Sequence, residues 1–312
     1  MSEMPERKNQ PEGYRPNAAP QVLRAIHGDG RKNGTDWRRP EAADDERRDI
    51  RHGIVDKSCA NLLVGPDLQG AAEWYASVLE LSGYAQIDEQ RVTLQLPVGS
   101  QTCVLWRTEH QRPGLNMSLR GNPQPFVTLN VANVDRIHHR ALASGGTSMM
   151  APCDLFFRVT MFLDPYGNCL SVIQEPEGWG LQIGRNGPAA TFDWVKIPVP
   201  GTTEELLRTA EWYRTHLGLD AGELTKERDG MDLQPGNLHL QLVDKGYASR
   251  FESDRRAIPL LMLETTDLDG MYRRMAEMGV IVDAIVYDPM LGRRYACLDP
   301  NGNVIGIHQR EE

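Results

Sequence analysis

The sequence predicts an α+β fold that occurs twice in tandem, and three repeated segments carry this prediction. The repeats are Ala72-Glu73-Trp74-Tyr75 with Ala210-Glu211-Trp212-Tyr213, FVTLNVANVDRIHHRALASGG from Phe126 with LLMLETTDLDGMYRRMAEMGV from Leu260, and LDPYGNCLSVIQ from Leu163 with LDPNGNVIGIHQ from Leu298. All three pairs keep the same order at a spacing of roughly 135 residues, which indicates duplication of one unit. We expect the sheets of each copy to curve into a cup for a small molecule.

Within the first copy, the hydrophobic pattern predicts strand, helix and strands, twice over. Residues 60–64 form a short apolar strand, and residues 68–81 carry apolar side chains at helical spacing. RVTLQLPV and QTCVLWR then alternate at period two, as strands do. The pattern restarts with FVTLNV, a helix over 134–144 that Gly145 and Gly146 end, and the strands FRVTMFL and CLSVIQ.

The two most distinctive motifs have a structural interpretation. Asp164-Pro165-Tyr166-Gly167 and Asp299-Pro300-Asn301-Gly302 place Asp, Pro and Gly where a type I turn favours them. The AEWY segments fit a helix that packs on a sheet. We therefore expect both motifs to build the fold and to take no part in chemistry.

The domain boundaries follow from the repeat. Residues 57–176 form the first domain, the Gly/Pro-rich residues 177–190 form a linker, and residues 191–312 form the second domain. Residues 1–56 are rich in Pro, Gly and mixed charges with few apolar side chains, which predicts a disordered polar tail.

Composition excludes several classes of function. The chain has 312 residues and a net charge of -9, which gives no electrostatic reason to bind nucleic acid or an anionic membrane. There is no apolar run of the roughly 20 residues that span a bilayer, and the first residues lack the apolar core of a secretory signal. The five cysteines have no zinc-ligand spacing, so we expect reduced thiols and a cytoplasmic protein.

An apolar strand, a helix that ends in Trp-Tyr, and a later DPxGN turn before a final strand resemble the vicinal oxygen chelate (VOC) superfamily. This superfamily includes glyoxalase I, extradiol ring-cleaving dioxygenases, fosfomycin-resistance enzymes and bleomycin-binding proteins. The resemblance covers residues 60–309 in both copies. It implies that each copy is a pair of βαβββ modules whose strands curl around one cavity.

The resemblance also implies four positions for metal ligands: the first strand, the strand ending the first module, the strand opening the second module, and the strand after DPxGN. The matching residues are Ala60, Val104 or Leu105, Phe126 and Ser171 in the first copy, and Trp194, Gln241, Leu260 and Gly306 in the second. A divalent ion needs electron-pair donors at these positions, and only Gln241 and, weakly, Ser171 offer one. We therefore predict no bound metal and no cofactor.

Strand residues two apart share a face, so the residues in register with these positions should line the cups. The first lining is nearly all apolar: Ala60, Leu62, Trp106, Phe126, Thr128, Val159, Met161, Cys169, Ser171 and Ile173. The second is aromatic and polar: Trp194, Lys196, His239, Gln241, Met262, Glu264, Arg294, Ala296 and His308.

The second lining suggests a site for a planar or carboxylate-bearing molecule, stacked on Trp194 and held by Lys196, Arg294 and His308. The structural alternative is that Lys196 and Arg294 reach the rim and pair with Glu264, because an unpaired buried cation is costly. No catalytic residue is assigned at this stage.

The leading functional hypothesis is a metal-independent binding protein of the resistance type that sequesters a hydrophobic, aromatic or anionic compound. The main alternative is a metal-dependent glyoxalase-like lyase or extradiol dioxygenase, in which His239, Glu264 and His308 would form a 2-His-1-carboxylate site. A metal-independent enzyme that uses His239 or His308 as acid or base, and a scaffold with vestigial cups, stay open. We expect a small-molecule partner, and either pairing of the copies within one chain or a homodimer.

Overall fold

The computed structural model describes residues 54–96, 102–109, 117–155, 157–174, 190–234, 238–244, 252–253 and 256–309. Most of the predicted tail, residues 1–53, and residues 177–189 of the predicted linker lie outside these ranges.

The described ranges contain four helices and twenty strands. The helices are α1 Leu68–Val78, α2 Val134–Ala143, α3 Thr203–Leu217 and α4 Leu268–Glu277. The strands are β1 Ile54–Val64, β2 Tyr84–Asp88, β3 Arg91–Gln95, β4 Thr102–Arg107, β5 Met117–Leu119, β6 Asn122–Gln124, β7 Val127–Val131, β8 Thr147–Asp154, β9 Arg158–Leu163, β10 Cys169–Gln174, β11 Ala190–Pro200, β12 Asp220–Leu224, β13 Gly230–Gln234, β14 Leu238–Val243, β15 Glu252–Ser253, β16 Arg256–Ala257, β17 Leu261–Thr265, β18 Val286–Asp288, β19 Gly292–Leu298 and β20 Val304–Gln309.

Local side-chain chemistry sets the helix ends. Asp67 precedes α1, and its Oδ1 accepts the backbone N–H of Gly70 at 2.9 Å. At the start of α3 the carboxylate of Glu205 accepts the backbone N–H of Thr202 at 2.6 Å, as in a capping box. The same helix ends at Gly218, whose left-handed φ of 68° is easily adopted without a Cβ.

Both helices predicted in the first copy are present, with earlier ends. The helix expected over 68–81 ends at Val78, because Glu80 adopts a left-handed φ of 56° that continues no right-handed helix. Within the described ranges, none of the helices has the length and apolar character needed to span a membrane.

Two curled eight-stranded sheets dominate the architecture and confirm the predicted α+β tandem fold. Sheet I has the strand order β18-β19-β20-β17-β1-β4-β3-β2, and sheet II has the order β12-β13-β14-β11-β7-β10-β9-β8. We call the face of each sheet that points away from its helices cup I and cup II. Two short hairpins, β5-β6 and β15-β16, lie outside the large sheets.

Each large sheet takes one module from each copy, which differs from the expectation that the two modules of one copy curl around the same cavity. In sheet I, β1 of the first copy runs antiparallel to β17 of the second, with Cys59 opposite Met262. In sheet II, β11 of the second copy runs antiparallel to β7 of the first, with Trp194 opposite Thr128. Because both copies carry the same strand pattern, periodicity cannot tell which modules join.

The main core is a single cluster that contains buried residues of both sheets and all four helices, including Tyr75, Phe162, Tyr213 and Tyr295. In the first copy, α1 packs on sheet I, α2 packs on sheet II, and the two helices touch. In the second copy, α3 packs on sheet II and meets α4 from sheet I. The helices therefore lie between the two sheets.

The AEWY and DPxGN motifs of the first copy meet in the core. The hydroxyl of Tyr75 on α1 donates to Asp164 in the turn before β10. Asn168 donates through Nδ2 to the same carboxylate oxygen, Asp164 Oδ2, at 2.8 Å, and to the backbone oxygen of Leu63 at 2.9 Å. Because Leu63 belongs to sheet I and Asn168 to the edge of β10 in sheet II, this network joins the two sheets.

The second copy repeats the network. The Tyr213 hydroxyl donates to Asp299 Oδ2 at 3.0 Å, and Asn303 Nδ2 donates to the backbone oxygen of Pro198 at 2.9 Å and to Asp299 Oδ2 at 2.8 Å. The structural interpretation of both motifs is therefore confirmed by their buried contacts.

Burial raises the pKa of Asp164 to about 6, although the hydrogen bonds from Tyr75 and Asn168 favour the charged carboxylate and oppose the rise. Burial likewise raises the pKa of Asp299. A carboxyl group with a raised pKa in the folded state holds its proton there while the unfolded chain has lost it, so its contribution to stability falls as the pH rises.

We predict that Asp164→Asn removes part of the pH dependence of stability. The wild type should lose about 3 kcal/mol of its free energy of unfolding on account of this group as the pH rises from about 4 to about 6, at roughly 1.4 kcal/mol per pKa unit. The neutral amide cannot ionise, so the stability difference between wild type and variant should shrink over this range. Urea unfolding at several pH values measures it, with exposed Asp154→Asn as the control; parallel curves for wild type and Asp164→Asn would contradict the assignment.

Candidate functional site

One residue from each of four strands forms a row across cup I, on the strands where the VOC resemblance places metal ligands. Asn61 of β1 lies opposite Val104 of β4, and Met262 of β17 lies opposite Gly306 of β20. Asn61, Val104 and Met262 line the same small cavity, and a Cβ at Gly306 would collide with the sulfur of Met262. These four residues therefore face the cup.

The expectation that Ala60 and Leu62 line a cup is wrong by one residue. Both are fully buried in the main core on the helix side of β1, while Asn61 between them faces cup I. Leu105 is likewise in the core, so Val104 is the cup residue of β4. Both faces of these strands are buried, so alternation of apolar and polar side chains could not reveal which face is which.

Lys196 in cup II is the counterpart of Asn61. The backbone N–H of Asn61 donates to the oxygen of Leu260 at 3.2 Å, and the N–H of Lys196 donates to the oxygen of Phe126 at 2.8 Å. Leu260 and Phe126 occupy matching places in the repeat, so the two strands enter their sheets in the same way.

The corresponding row of cup II is more polar than that of cup I. Lys196 lies opposite His239 of β14, and Thr128 of β7 lies opposite Ser171 of β10. Trp194 and Gln241 lie two residues away from Lys196 and His239 along their strands, on the same face.

The structure separates the eight predicted ligand-binding residues into two groups. Sheet II and the start of its β7 hold six of them: Trp194, Lys196, His239, Gln241, Phe126 and Ser171. Arg294 and His308 belong to sheet I. The single anion site expected from Lys196, Arg294 and His308 is therefore corrected, because module exchange places these side chains in different cups.

The residues of neither row fit the divalent ion of VOC metalloenzymes. Cup I offers one amide, one thioether and no charged donor in its row; cup II offers an ammonium, an imidazole and two hydroxyls. An ammonium has no lone pair and repels a cation. Among the described residues, no group of three or more His, Cys, Asp and Glu side chains is placed to hold a metal. The alternative triad fails as well, since His239 is in sheet II while Glu264 and His308 are in sheet I.

A buried ion-pair network closes cup I. The carboxylate of Asp288, at the end of β18, accepts from Nη1 of Arg91 and from Nε of Arg294 at 3.2 Å. Arg91 also donates from Nε to Asp88 at 2.7 Å, and its guanidinium lies 5.2 Å from the ring centre of Trp106. Burial tends to raise the pKa of Asp288, but the hydrogen bond and charge of Arg91 outweigh this effect and hold the pKa below its usual range.

The turn after Asp288 fills most of the remaining space in cup I. Met290 and Leu291 join the wall that Trp106 and Met262 form, and the partly open cavity between them measures about 10 Å³, room for about one water molecule. His308 is buried beneath this turn, with Nδ1 3.0 Å from the backbone oxygen of Leu291. The side chains of the chain itself therefore occupy this cup.

Sequence reasoning missed Arg91, Asp288 and Asn61. One signal was present for the first of them: an arginine opens RVTLQL, where the apolar alternation of β3 places it on the cup face opposite Trp106. No local signal marks Asp288 as part of a buried network, because its partner Arg91 lies 197 positions away in the sequence.

Cup II contains a buried amine with a single hydrogen-bond acceptor among the described residues. Lys196 Nζ donates to Gln241 Oε1 at 3.1 Å. The amide nitrogen of Gln241 donates to the backbone oxygens of Asp229 at 3.0 Å and Leu242 at 3.4 Å, which fixes Oε1 towards the amine. Burial lowers the pKa of Lys196 to about 8, and the charge of Asp229 opposes this change only in part.

The opposite wall of cup II is apolar with a few small polar groups. Cys169 and Ser171 lie on β10, and the hydroxyl of Ser171 is 3.4 Å from the backbone oxygen of Thr160. Burial raises the pKa of Cys169 to about 12, while the charge of Lys196 acts in the opposite direction. This interaction places the thiol and the amine in the same cup, and the thiol is protonated.

A histidine and aspartate pair lies beside the amine. His239 Nδ1 is 2.7 Å from Asp232 Oδ1, on the neighbouring strand β13. The imidazole covers Gly230, and a Cβ at that glycine would collide with Nε2. Asp232 therefore fixes the ring through Nδ1, and the absent side chain at Gly230 leaves room for it.

The structure has two curled sheets, each built from a pair of βαβββ modules. In each sheet, four strands bring one residue each to a common row. This arrangement defines a tandem VOC fold. Residues 201–307 match the family model described as the Glyoxalase/Bleomycin resistance protein/Dioxygenase superfamily. This match lies within the second copy, and the whole chain has the tandem VOC fold.

Solved structures with the same fold extend over both copies. Glyoxalase I from Zea mays is 13% identical with a TM-score of 0.59, and the match covers 83% of this chain and 94% of that one. A putative dioxygenase from Bacillus subtilis subsp. subtilis str. 168 is 15% identical with a TM-score of 0.56, and the match covers 83% of this chain and 86% of that one. No curated protein sequence matches the chain. At these identities the likeness concerns the fold alone.

We predict that Asp288→Asn destabilises the protein by about 2–4 kcal/mol, because it removes the buried carboxylate that half-buried Arg294 contacts and leaves buried Arg91 with Asp88 alone. Asp88→Asn is the matched control: it also touches Arg91, but its side chain is 43% exposed, so its loss should cost less than about 1 kcal/mol. Urea unfolding at neutral pH measures both. Since the pKa of Asp288 is depressed, its stabilisation should be present at neutral pH and disappear as the pH falls below the usual carboxyl range. Equal losses in the two variants would argue against the network.

Proposed function

We propose that this protein binds a small organic molecule with an anionic oxygen in cup II, and that the ammonium of Lys196 acts there in place of a protein-bound metal ion. The observation that carries the proposal is the buried amine of Lys196, whose one acceptor among the described residues is the neutral amide of Gln241. The charge of Asp229 offsets the cost of burying this cation only in part, and a carboxylate, phenolate or enolate would supply further negative charge.

The lining of cup II supports a molecule with an apolar or aromatic body. Val159, Met161 and Ile173 share the cup face of β9 and β10 with Ser171, and Trp194 borders it on β11. Binding pockets are typically apolar with a few polar groups that orient the ligand. Lys196, Ser171 and Thr128 would provide this orientation.

The physiological role that follows is sequestration of the bound compound in the cytoplasm. The five cysteines are all free thiols, and Cys59, Cys103, Cys169 and Cys297 are buried, which favours a reducing compartment. Because modules of both copies already share each sheet, a single chain would be the functional unit.

We predict that aromatic carboxylates bind in cup II and that Lys196→Met weakens this binding. Benzoate and salicylate should raise the melting temperature of the wild type more than neutral benzamide does, because a ligand that prefers the folded state stabilises it. Loss of a charge-assisted hydrogen bond should weaken the affinity about 10- to 100-fold, at roughly 1.5–3 kcal/mol. Exposed Lys226→Met is the matched control and should bind like the wild type.

Calorimetric titration and elemental analysis of the same preparations test the proposal. Equal binding of benzoate by wild type and Lys196→Met would contradict the role of the amine. Stoichiometric Ni, Fe, Mn or Zn that His239→Ala releases would contradict metal independence and favour a metal-dependent lyase or dioxygenase.

A further inference from the structure

Lys196 combines features of a nucleophile with those of a simple cation. Its amine is buried on the cup face of β11 and bonds to the fixed Oε1 of Gln241. Lysine, unlike arginine, becomes a nucleophile when it loses its proton, and removal from water promotes that loss. The pKa of about 8 leaves roughly a tenth of the amine neutral at pH 7.

We infer that Lys196 captures the carbonyl group of an α-oxo carboxylate, or of a small aldehyde carrying a carboxylate, as a Schiff base in cup II. This inference rests on the proposed function, because the same amine first attracts the anionic group. It deepens that function by naming the class of ligand and by adding a covalent step.

The step balances without an external oxidant or reductant. The lone pair of the neutral amine forms a bond to the carbonyl carbon, and the electrons of the C=O double bond move to oxygen, which takes up a proton. The proton taken up by the oxygen is one that the attacked nitrogen gives up, which restores the nitrogen lone pair. The proton that the ammonium had lent to a base then returns to the hydroxyl of the carbinolamine, which leaves as water while the lone pair forms the C=N bond. The sum is one ammonium and one carbonyl giving one iminium and one water.

His239 is placed to move the protons of this step. It lies opposite Lys196 on the adjacent parallel strand, Asp232 holds its Nδ1, and its Nε2 lies over Gly230 on the cup side. A histidine that an aspartate orients through Nδ1 is suited to accept and return a proton through Nε2.

At the equivalent position of cup I, the polar atoms of the side chain are hydrogen-bonded within the protein. Asn61 donates from Nδ2 to the backbone oxygen of Pro259 at 2.6 Å, and its Oδ1 accepts from Trp106 Nε1 at 3.0 Å. Its polar atoms are thus bonded within the chain, whereas the three N–H groups of Lys196 find one acceptor among the described residues.

Reductive trapping tests the inference on the full chain. The protein is incubated with glyoxylate and cyanoborohydride, which adds hydride to an iminium and leaves a stable secondary amine. We expect one carboxymethyl group per chain, located at Lys196 by peptide mass spectrometry, at a rate at least tenfold above that of exposed Lys226. The wild-type rate should rise as the pH increases through about 8. Lys196→Arg should lose the modification, and His239→Gln should slow it roughly tenfold or more.

The outcomes separate the two proposals. Labelling that is no faster at Lys196 than at Lys226, with benzoate binding that still depends on Lys196, overturns the Schiff base and leaves the binding function standing. Loss of both the labelling and the dependence of benzoate binding on Lys196 overturns both. A circular dichroism spectrum and melting temperature like those of the wild type show that Lys196→Arg is folded, and the pH profile of the wild type provides a test that needs no variant.

Discussion

The hydrogen-bonded pairs of a buried tyrosine and a buried aspartate hold this architecture together. Tyr75 meets Asp164 in the first copy and Tyr213 meets Asp299 in the second. In each case the tyrosine is on a helix packed on one sheet and the aspartate is in a turn of the other, so each pair connects modules whose strands never join. The asparagine of each DPxGN turn adds a bond to the opposite sheet, as Asn168 does to Leu63. Loss of one partner would leave a buried polar group without a hydrogen bond at the centre of the core. Each network therefore stabilises the fold only when all of its members are present.

Module exchange has a direct consequence for the cups, because each one combines halves from different copies and the two can diverge. In cup I, Arg91 from the first copy and Arg294 from the second enclose Asp288, and the turn that follows covers the remaining space. This charge network therefore joins the copies across sheet I. The described residues of sheet II form no comparable charge network between the copies. There, Lys196 from the second copy faces Cys169 and Ser171 from the first.

The repeat, the order of elements and the structural role of both motifs could be predicted from the sequence, because hydrophobic periodicity and turn chemistry act locally. The joining of modules could not, since β1 and β11 carry equivalent patterns and either could pair with β7 or β17. The same limit explains the error at Ala60: both faces of β1 are buried, so the parity of the strand is decided by distant neighbours. The cup-facing position of Lys196, His239 and Gln241 could be predicted because they are polar groups in apolar strands. Asp288 was missed because it ends β18, a short edge strand with little pattern of its own.

The contrast between Asn61 and Lys196 is the strongest argument that the two cups differ in purpose. These residues hold the same place in the repeat, and their backbones make the same hydrogen bond across each sheet. The side chain of Asn61 forms hydrogen bonds with Pro259 and Trp106, so its polar atoms are satisfied in a cup whose space is filled. Lys196 is costly where it lies, because burial removes its hydration and Gln241 returns one neutral acceptor. Structural need alone does not account for that cost, since the neutral asparagine at the equivalent position builds the same strand pairing without it. The proposed recognition of an anionic or carbonyl-bearing molecule would account for it.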